Sequence, residues 1–209
     1  MASDVFYIGM DLGGTTFKAI AVTPDGTILR RVQEDTQAEG GPQAVVQRMV
    51  EAVRRLQADA SSPTRHLAAV GFGIPGILDL PVGRVRRSPN LPGWEGFDLR
   101  AALSQHLEVP VAIENDANAA ALGEVWLGAG RGMQHFLMLT LGTGVGGGII
   151  VAGKILHGAS GYAGEPGHTV VEPDGPPCGC GSRGCLEQFV AGPAIARMAA
   201  PYYGTTTAQ

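Results

Sequence analysis

Apolar residues fall into short runs separated by glycine, proline and small polar residues, and the spacing changes character along the chain. Residues 5–10 (VFYIGM) form a first apolar run, which ends at Asp11-Leu12-Gly13-Gly14-Thr15-Thr16. Residues 17–23 form a second, Pro24-Asp25-Gly26 is a turn signal, and 27–32 form a third. This pattern predicts a three-stranded antiparallel meander whose first hairpin turn is Gly13-Gly14-Thr15-Thr16. In 42–58, Val45, Val46, Met49, Val50, Val53 and Leu56 recur at helical spacing until Ser61-Ser62-Pro63 breaks it. Strand character returns over 67–74 and stops at Pro75-Gly76. A helix over 98–107, a strand over 109–113 and an Ala-rich helix over 116–127 follow, the last started by Asn115 and Asp116. A further strand, 135–141, runs into Gly142-Thr143-Gly144-Val145-Gly146-Gly147-Gly148 and a strand at 149–152. That repeats the opening order of strand, Gly/Thr turn and strand, a short internal duplication. Residues 157–185 have no period and need an anchor such as a metal or ligand. A helix is expected over 186–198, with Pro193 opening its second part. The tail 202–209 closes no element. Periodicity alone supports a mixed α/β fold.

Composition changes the picture in one respect. Glycine supplies 32 of 209 residues, about 15 % against a usual share of about 7 %, and 18 of them lie between Gly123 and Gly184. Such density between apolar runs suggests loops that let backbone amides approach a ligand, or else the tight turns of an all-β chain. Apolar content of 44 % and a charged fraction of 16 % exclude a disordered chain. The net charge of −4 gives no reason to expect nucleic acid. No run approaches the roughly 18 apolar residues of a membrane span, and Met1-Ala2-Ser3-Asp4 does not open a leader peptide, so a cytoplasmic protein without a membrane partner is expected.

Four constellations could carry chemistry. The two Gly/Thr hairpins, Asp11 to Thr16 (Gly13, Gly14, Thr15, Thr16) and Gly142 to Gly147 (Gly142, Thr143, Gly144), offer amides and hydroxyls to an anion without a lysine. Asp11 could hold Mg²⁺ through water beside a phosphate. Either hairpin alone is equally an ordinary turn; the pair is what points to phosphate. Second, Glu114-Asn115-Asp116-Ala117-Asn118 places carboxylates at a strand end and helix start, where one could accept a sugar hydroxyl's proton or simply cap the helix. Third, Cys178-Gly179-Cys180-Gly181-Ser182-Arg183-Gly184-Cys185, with His168 ten residues upstream, is a complete tetrahedral zinc set. Its alternative is three free thiols. Four protein ligands leave no open position, so such a zinc would be structural. Fourth, Glu165, His168 and Glu187 flank that knot and suit the vicinal hydroxyls of a polyol, or are solvated loop groups.

Together these motifs resemble the ROK family (repressors, open reading frames and sugar kinases), from Asp11-Leu12-Gly13-Gly14-Thr15 to Cys185-Leu186-Glu187. Glu165-Pro166-Gly167-His168 followed by the cysteine run is the most specific part, and Ser88-Pro89-Asn90-Leu91-Pro92-Gly93-Trp94 is similar to the glucokinase branch. The resemblance implies the ribonuclease H-like fold of the actin/hexokinase-type ATPases in two α/β domains, 1–116 and 117–209, with the active site in the cleft. It implies an ATP-dependent hexose 6-kinase, glucokinase first, with N-acetylmannosamine or another hexose kinase as the alternative. Asp116 would be the general base. Asn115, Glu165, His168 and Glu187 would bind the other hydroxyls, with Asn90 and the Gly76 backbone completing the pocket. The hairpins would cradle the phosphates of ATP, bridged by Mg²⁺. His168 would serve twice, one ring nitrogen on the structural zinc with Cys178, Cys180 and Cys185, the other toward the sugar.

The repressor branch needs an N-terminal helix-turn-helix, for which the early first strand leaves no room. ROK kinases are longer, and in them a later glycine-rich stretch contacts adenosine while a C-terminal helix packs back on the first domain. The second domain is therefore expected to be incomplete here. A catalytically silent sugar-binding remnant, or a polyphosphate donor in place of ATP, stays open at this point. A homo-oligomer, dimer or tetramer, is expected.

Overall fold

The computed structural model describes residues 4–203; Met1 to Ser3, where a leader would begin, and the expected open tail at 204–209 lie outside the described residues. The chain divides into two units, Met1–Ala119 and Ala120–Gln209.

In the first unit, β1 (Val5–Leu12), β2 (Thr16–Val22) and β3 (Ile28–Asp35) form the expected antiparallel meander. Helix α1 (Gly41–Ala60) follows, with Pro42 in its first turn. Then β4 (His66–Ile74) returns parallel to β1, and β7 (Val111–Asn115) lies parallel to β4. The sheet order is β3-β2-β1-β4-β7. Strict alternation in β1 sends Phe6, Ile8, Met10 and Leu12 into the core. There they meet the α1 stripe of Val45, Val46, Met49, Val50, Val53 and Leu56, and Leu99 and Leu103 of α2 (Leu99–Ser104). The opposite face carries Gly9 and Asp11 on β1 and Lys18 on β2, with Asp11 opposite Lys18 on one side and Gly73 on the other.

Several boundaries differ from the periodic reading. Asp11 and Leu12 extend β1, so the turn shrinks to three residues, 13–15. Helix α2 is shorter than 98–107: Asp98 stands outside it as the cap, accepting the Ala101 N–H at 3.3 Å. Pro110 delays β7 to residue 111, since it has no N–H to offer and disfavours helix in the residue before it. The strand then runs to Asn115, carrying Glu114 and Asn115 on its last turn of pleat. A small hairpin, β5 (Ile77–Asp79) with β6 (Arg84–Arg87), lies in a stretch without a periodic signal.

Helix α3 (Asp116–Leu127) leads into the second unit, where β8 (Phe136–Leu141), β9 (Val145–Val151) and β10 (Lys154–Ile155) form an antiparallel sheet. Gly146, Gly147 and Gly148 belong to β9 rather than to the turn. The bare Gly147 lets a single 3₁₀ turn, Pro166–His168, lie on the strand: a Cβ there would stand 2.6 Å from Pro166 Cγ, and one on Gly167 2.1 Å from the Val145 carbonyl oxygen. The expected helix 186–198 is two helices, α4 (Glu187–Val190) and α5 (Gly192–Tyr203), broken where the Gly192 N–H leaves the helix for the Gly142 carbonyl at 2.8 Å. Tyr202 and Tyr203 extend α5. Val145, Ala191 and Ala194 form a small buried cluster in this unit, with Ile150 buried as well, while Leu137, Leu139 and Leu141 of β8 are exposed.

Candidate functional site

The first unit contributes a turn and a strand-to-helix junction. At the β1–β2 turn the Gly13 N–H donates to the Thr16 carbonyl at 2.9 Å. Thr36, fully buried, ties the turn from behind: its hydroxyl donates to the Gly13 carbonyl at 2.7 Å and its N–H to the Thr15 carbonyl at 2.7 Å. With those two acceptors held, the turn has a fixed conformation. Gly14 backs onto the Asn90 carbonyl, which a Cβ would approach to 2.6 Å. So Asn90, Gly13, Gly14, Thr15 and Thr16 come together. Thr36 had no periodic signal; a threonine closing a strand before a helix was its only mark.

At the end of β7 the Asn115 side chain caps α3. Its Oδ1 accepts the N–H groups of Ala117 at 3.0 Å and Asn118 at 3.1 Å, while Nδ2 donates to the Gly76 carbonyl at 3.2 Å. The second Nδ2 hydrogen remains for a ligand. Gly76 sits at φ 100°, and a Cβ there would be 2.3 Å from the Arg87 carbonyl oxygen, so only glycine fits beside the Ser88 loop. Asp116 Oδ1 accepts the Ala117 N–H at 2.9 Å, which sets the carboxylate's orientation. The structure thus brings Gly76, Asn115 and Asp116 together.

Asp11 faces the same region. Its burial, and then the Asp116 carboxylate, raise its pKa above the ordinary value, with Lys18 opposing. An acid whose folded pKa is raised contributes stability below its unfolded pKa and loses it as pH rises through the folded one. Asp11→Asn is therefore expected to raise the melting temperature at pH 7 by about 1–2 °C, a small effect because the group is partly solvated. The gain should fade as pH falls below about 4, where both side chains are neutral. A melting temperature lowered at pH 7 would contradict this reading of the pair.

The second unit contributes the other Gly/Thr turn and the cysteine knot. The turn 142–144 between β8 and β9 is closed by the Gly142 N–H donating to the Gly144 carbonyl at 3.0 Å. The Val145 N–H donates to Glu187 Oε2 at 2.9 Å, and Gly144 lies against the same oxygen. Glu187 is thereby fixed on the turn carrying Gly142, Thr143 and Gly144. Glu165 precedes the 3₁₀ turn, its carbonyl accepting the His168 N–H at 3.1 Å.

His168, Cys178, Cys180 and Cys185 converge, their ligand atoms all within 4.8 Å of one another. Cys178 Sγ lies 3.6 Å from His168 Nδ1, and Cys180 Sγ 3.6 Å from Cys185 Sγ. Tetrahedral zinc with ordinary bond lengths separates two sulfurs by about 3.8 Å and a sulfur from a nitrogen by about 3.5 Å. The donor set fits that ion, with Nδ1 as the histidine ligand. The thiols differ: burial first, then Cys180 and Cys178, push the Cys185 thiol up to about 12, while hydrogen bonds from the Ser182 backbone and Cys178 pull the Cys180 thiol down. Gly184 makes the final turn at φ 62°, where a Cβ would strike the Glu172 carbonyl.

A Gly/Thr-turned hairpin, a β3-β2-β1-β4-β7 sheet and a carboxylate at a helix start define the ribonuclease H-like fold of the actin/hexokinase-type ATPases. The chain belongs to the ROK family, whose model matches residues 7–206. Glucokinase from Thermotoga maritima is 47 % identical over 190 residues, which cover 91 % of this chain and 58 % of that protein. The crystal structure of ROK hexokinase from Thermus thermophilus aligns at TM-score 0.85 and 40 % identity, over 97 % of this chain and 65 % of that one. A ROK family glucokinase from Streptomyces griseus, in complex with glucose and AMPPNP, aligns at TM-score 0.74 and 40 % identity, over 95 % and 62 %. The chain spans about 58–60 % of the length of the curated glucokinases it matches first.

Proposed function

We propose that this chain carries the sugar-phosphorylating machinery of a hexose 6-kinase, with glucose as substrate and ATP as donor. The observation that supports it most is the junction in which Asn115 caps α3 and Asp116 stands on its first turn. The Ala117 N–H fixes Oδ1, which leaves Oδ2 to accept the proton of the sugar 6-hydroxyl. As that proton moves to Asp116, the hydroxyl oxygen bonds to the γ-phosphorus of ATP, the bond to the β,γ-bridging oxygen breaks, and ADP leaves. Asn115 through its second Nδ2 hydrogen, Asn90 and the Gly76 backbone bind sugar hydroxyls in the first unit. Glu165, His168 and Glu187 are assigned the remaining hydroxyls, Glu187 through Oε1, since Oε2 already holds Val145. The turns at Gly13, Gly14, Thr15, Thr16 and at Gly142, Thr143, Gly144 are assigned the phosphates.

Two metal ions go with this reading. Mg²⁺, held through Asp11, would neutralise charge on the phosphates. Zinc on His168, Cys178, Cys180 and Cys185 would lock the 165–187 segment, so that Glu165 and His168 keep one geometry. The setting that accompanies the reading is a cytoplasmic homo-oligomer at the entry to glycolysis. Among the described residues, no helix is long and apolar enough to cross a membrane.

The substrate is tested by kcat/KM on glucose, mannose, fructose, allose and N-acetylmannosamine, each with MgATP and with polyphosphate. Glucose with ATP is expected to lead by at least about tenfold. A lead for N-acetylmannosamine would move the assignment to that kinase, and a lead for polyphosphate would overturn the donor.

A further inference from the structure

We propose that Asn118 is a positioning residue for Asp116, acting through Glu114; the proposal rests on the reading of Asp116 as the base. Asn118 is one of four buried polar residues among those described, 5 % exposed in an Ala-rich helical turn where alanine would favour the helix more. Its Nδ2 donates to Glu114 Oε1 at 3.2 Å, while its Oδ1 is buried without a partner. The Glu114 carboxylate fixes this orientation, since a flipped amide would set two oxygens face to face. As a stabilising element the residue is therefore poor: it gains one hydrogen bond and leaves one carbonyl unpaired.

What that single bond does is hold a carboxylate in place. Glu114 Oε1 also accepts the Asn115 N–H at 2.9 Å. The Asn118 N–H in turn donates to Asn115 Oδ1 at 3.1 Å. Residues 114 and 115 are thus clamped to residue 118 by one side-chain and one backbone donor, and Asp116 is enclosed in the clamped turn. Without Nδ2, Glu114 Oε1 loses one of the two donors that fix it. The Asn115 N–H then has a less firmly held acceptor, and the turn carrying Asp116 loosens. Asn118 touches no substrate in this scheme; it sets the aim of the group that does.

Asn118→Leu separates this role from a structural one, because leucine keeps the branching at Cγ and removes the unpaired carbonyl. In the zinc-loaded 209-residue chain the melting temperature is expected to hold or rise. The kcat for glucose phosphorylation should fall at least about tenfold, with the glucose KM within about threefold. Hydrogen exchange at the Asn115 amide should quicken by about tenfold. Unchanged exchange at the Asn115 amide in Asn118→Leu, or a kcat within about twofold of the parent, would overturn the proposal. If the unsubstituted chain phosphorylates no sugar, the kinase reading fails for it, and the exchange measurements decide the clamp on their own.

Discussion

Asp116→Asn is expected to lower glucose phosphorylation by about 10²–10⁴-fold while glucose binding stays within about threefold. Asparagine has the same shape, and its Oδ1 still accepts the Ala117 N–H that orients the side chain. It cannot take a proton at neutral pH. The loss should therefore fall on kcat, and the folded state should be spared, since the α3 cap is made by Asn115 and not by Asp116. Turnover within about twofold of the parent would remove Asp116 from the mechanism.

Loss of the proposed zinc is expected to be equally large in effect and different in kind. Apart from the ligands, the knot is held by turn-type backbone hydrogen bonds, such as those from Val171 and Glu172 to the Gly184 carbonyl. Residues 169–186 form no helix or long strand, and the apolar cluster of the second unit is small, Val145, Ala191 and Ala194. Structural zinc binds with about 10–16 kcal/mol in small domains that are unfolded without it, which exceeds the stability of most whole domains. Prolonged chelation, or Cys185→Ser at the fully buried ligand, should remove one zinc per chain and expose the 165–187 amides to rapid exchange. Glucose affinity should drop by at least about tenfold, because Glu165 and His168 lose their fixed positions. Zinc uptake should release protons from the thiols, Cys185 among them, whose pKa is pushed up to about 12. A chain that binds glucose at full affinity with no zinc bound would contradict the scheme.

Particular residues show how far the sequence could be read. The α1 stripe from Val45 to Leu56 and the alternation in β1 were plain, because each element buries one face and the period records it. The knot was legible because four donors of the right type are close in the chain, and local turns can bring them together. The glycine run after β8 was harder. Gly146–Gly148 reads as a turn, yet it lies in β9, and the reason is the distant segment at Pro166 and Gly167 pressed on that strand. Thr36 behind the first turn was illegible for the same reason. Its partner is set by tertiary placement, and no local pattern announces a hydroxyl 23 residues from the carbonyl it serves. The break between α4 and α5 shows the mixed case: Pro193 marks it locally, but the Gly192–Gly142 bond decides where it falls.

The most direct measurement is product formation by the chain itself: zinc-loaded protein, glucose and MgATP, with glucose 6-phosphate and ADP quantified together. The two products are expected in equal amounts, dependent on glucose and lost in Asp116→Asn. Saturable glucose binding with no glucose 6-phosphate, or ADP released at the same rate without sugar, would contradict it.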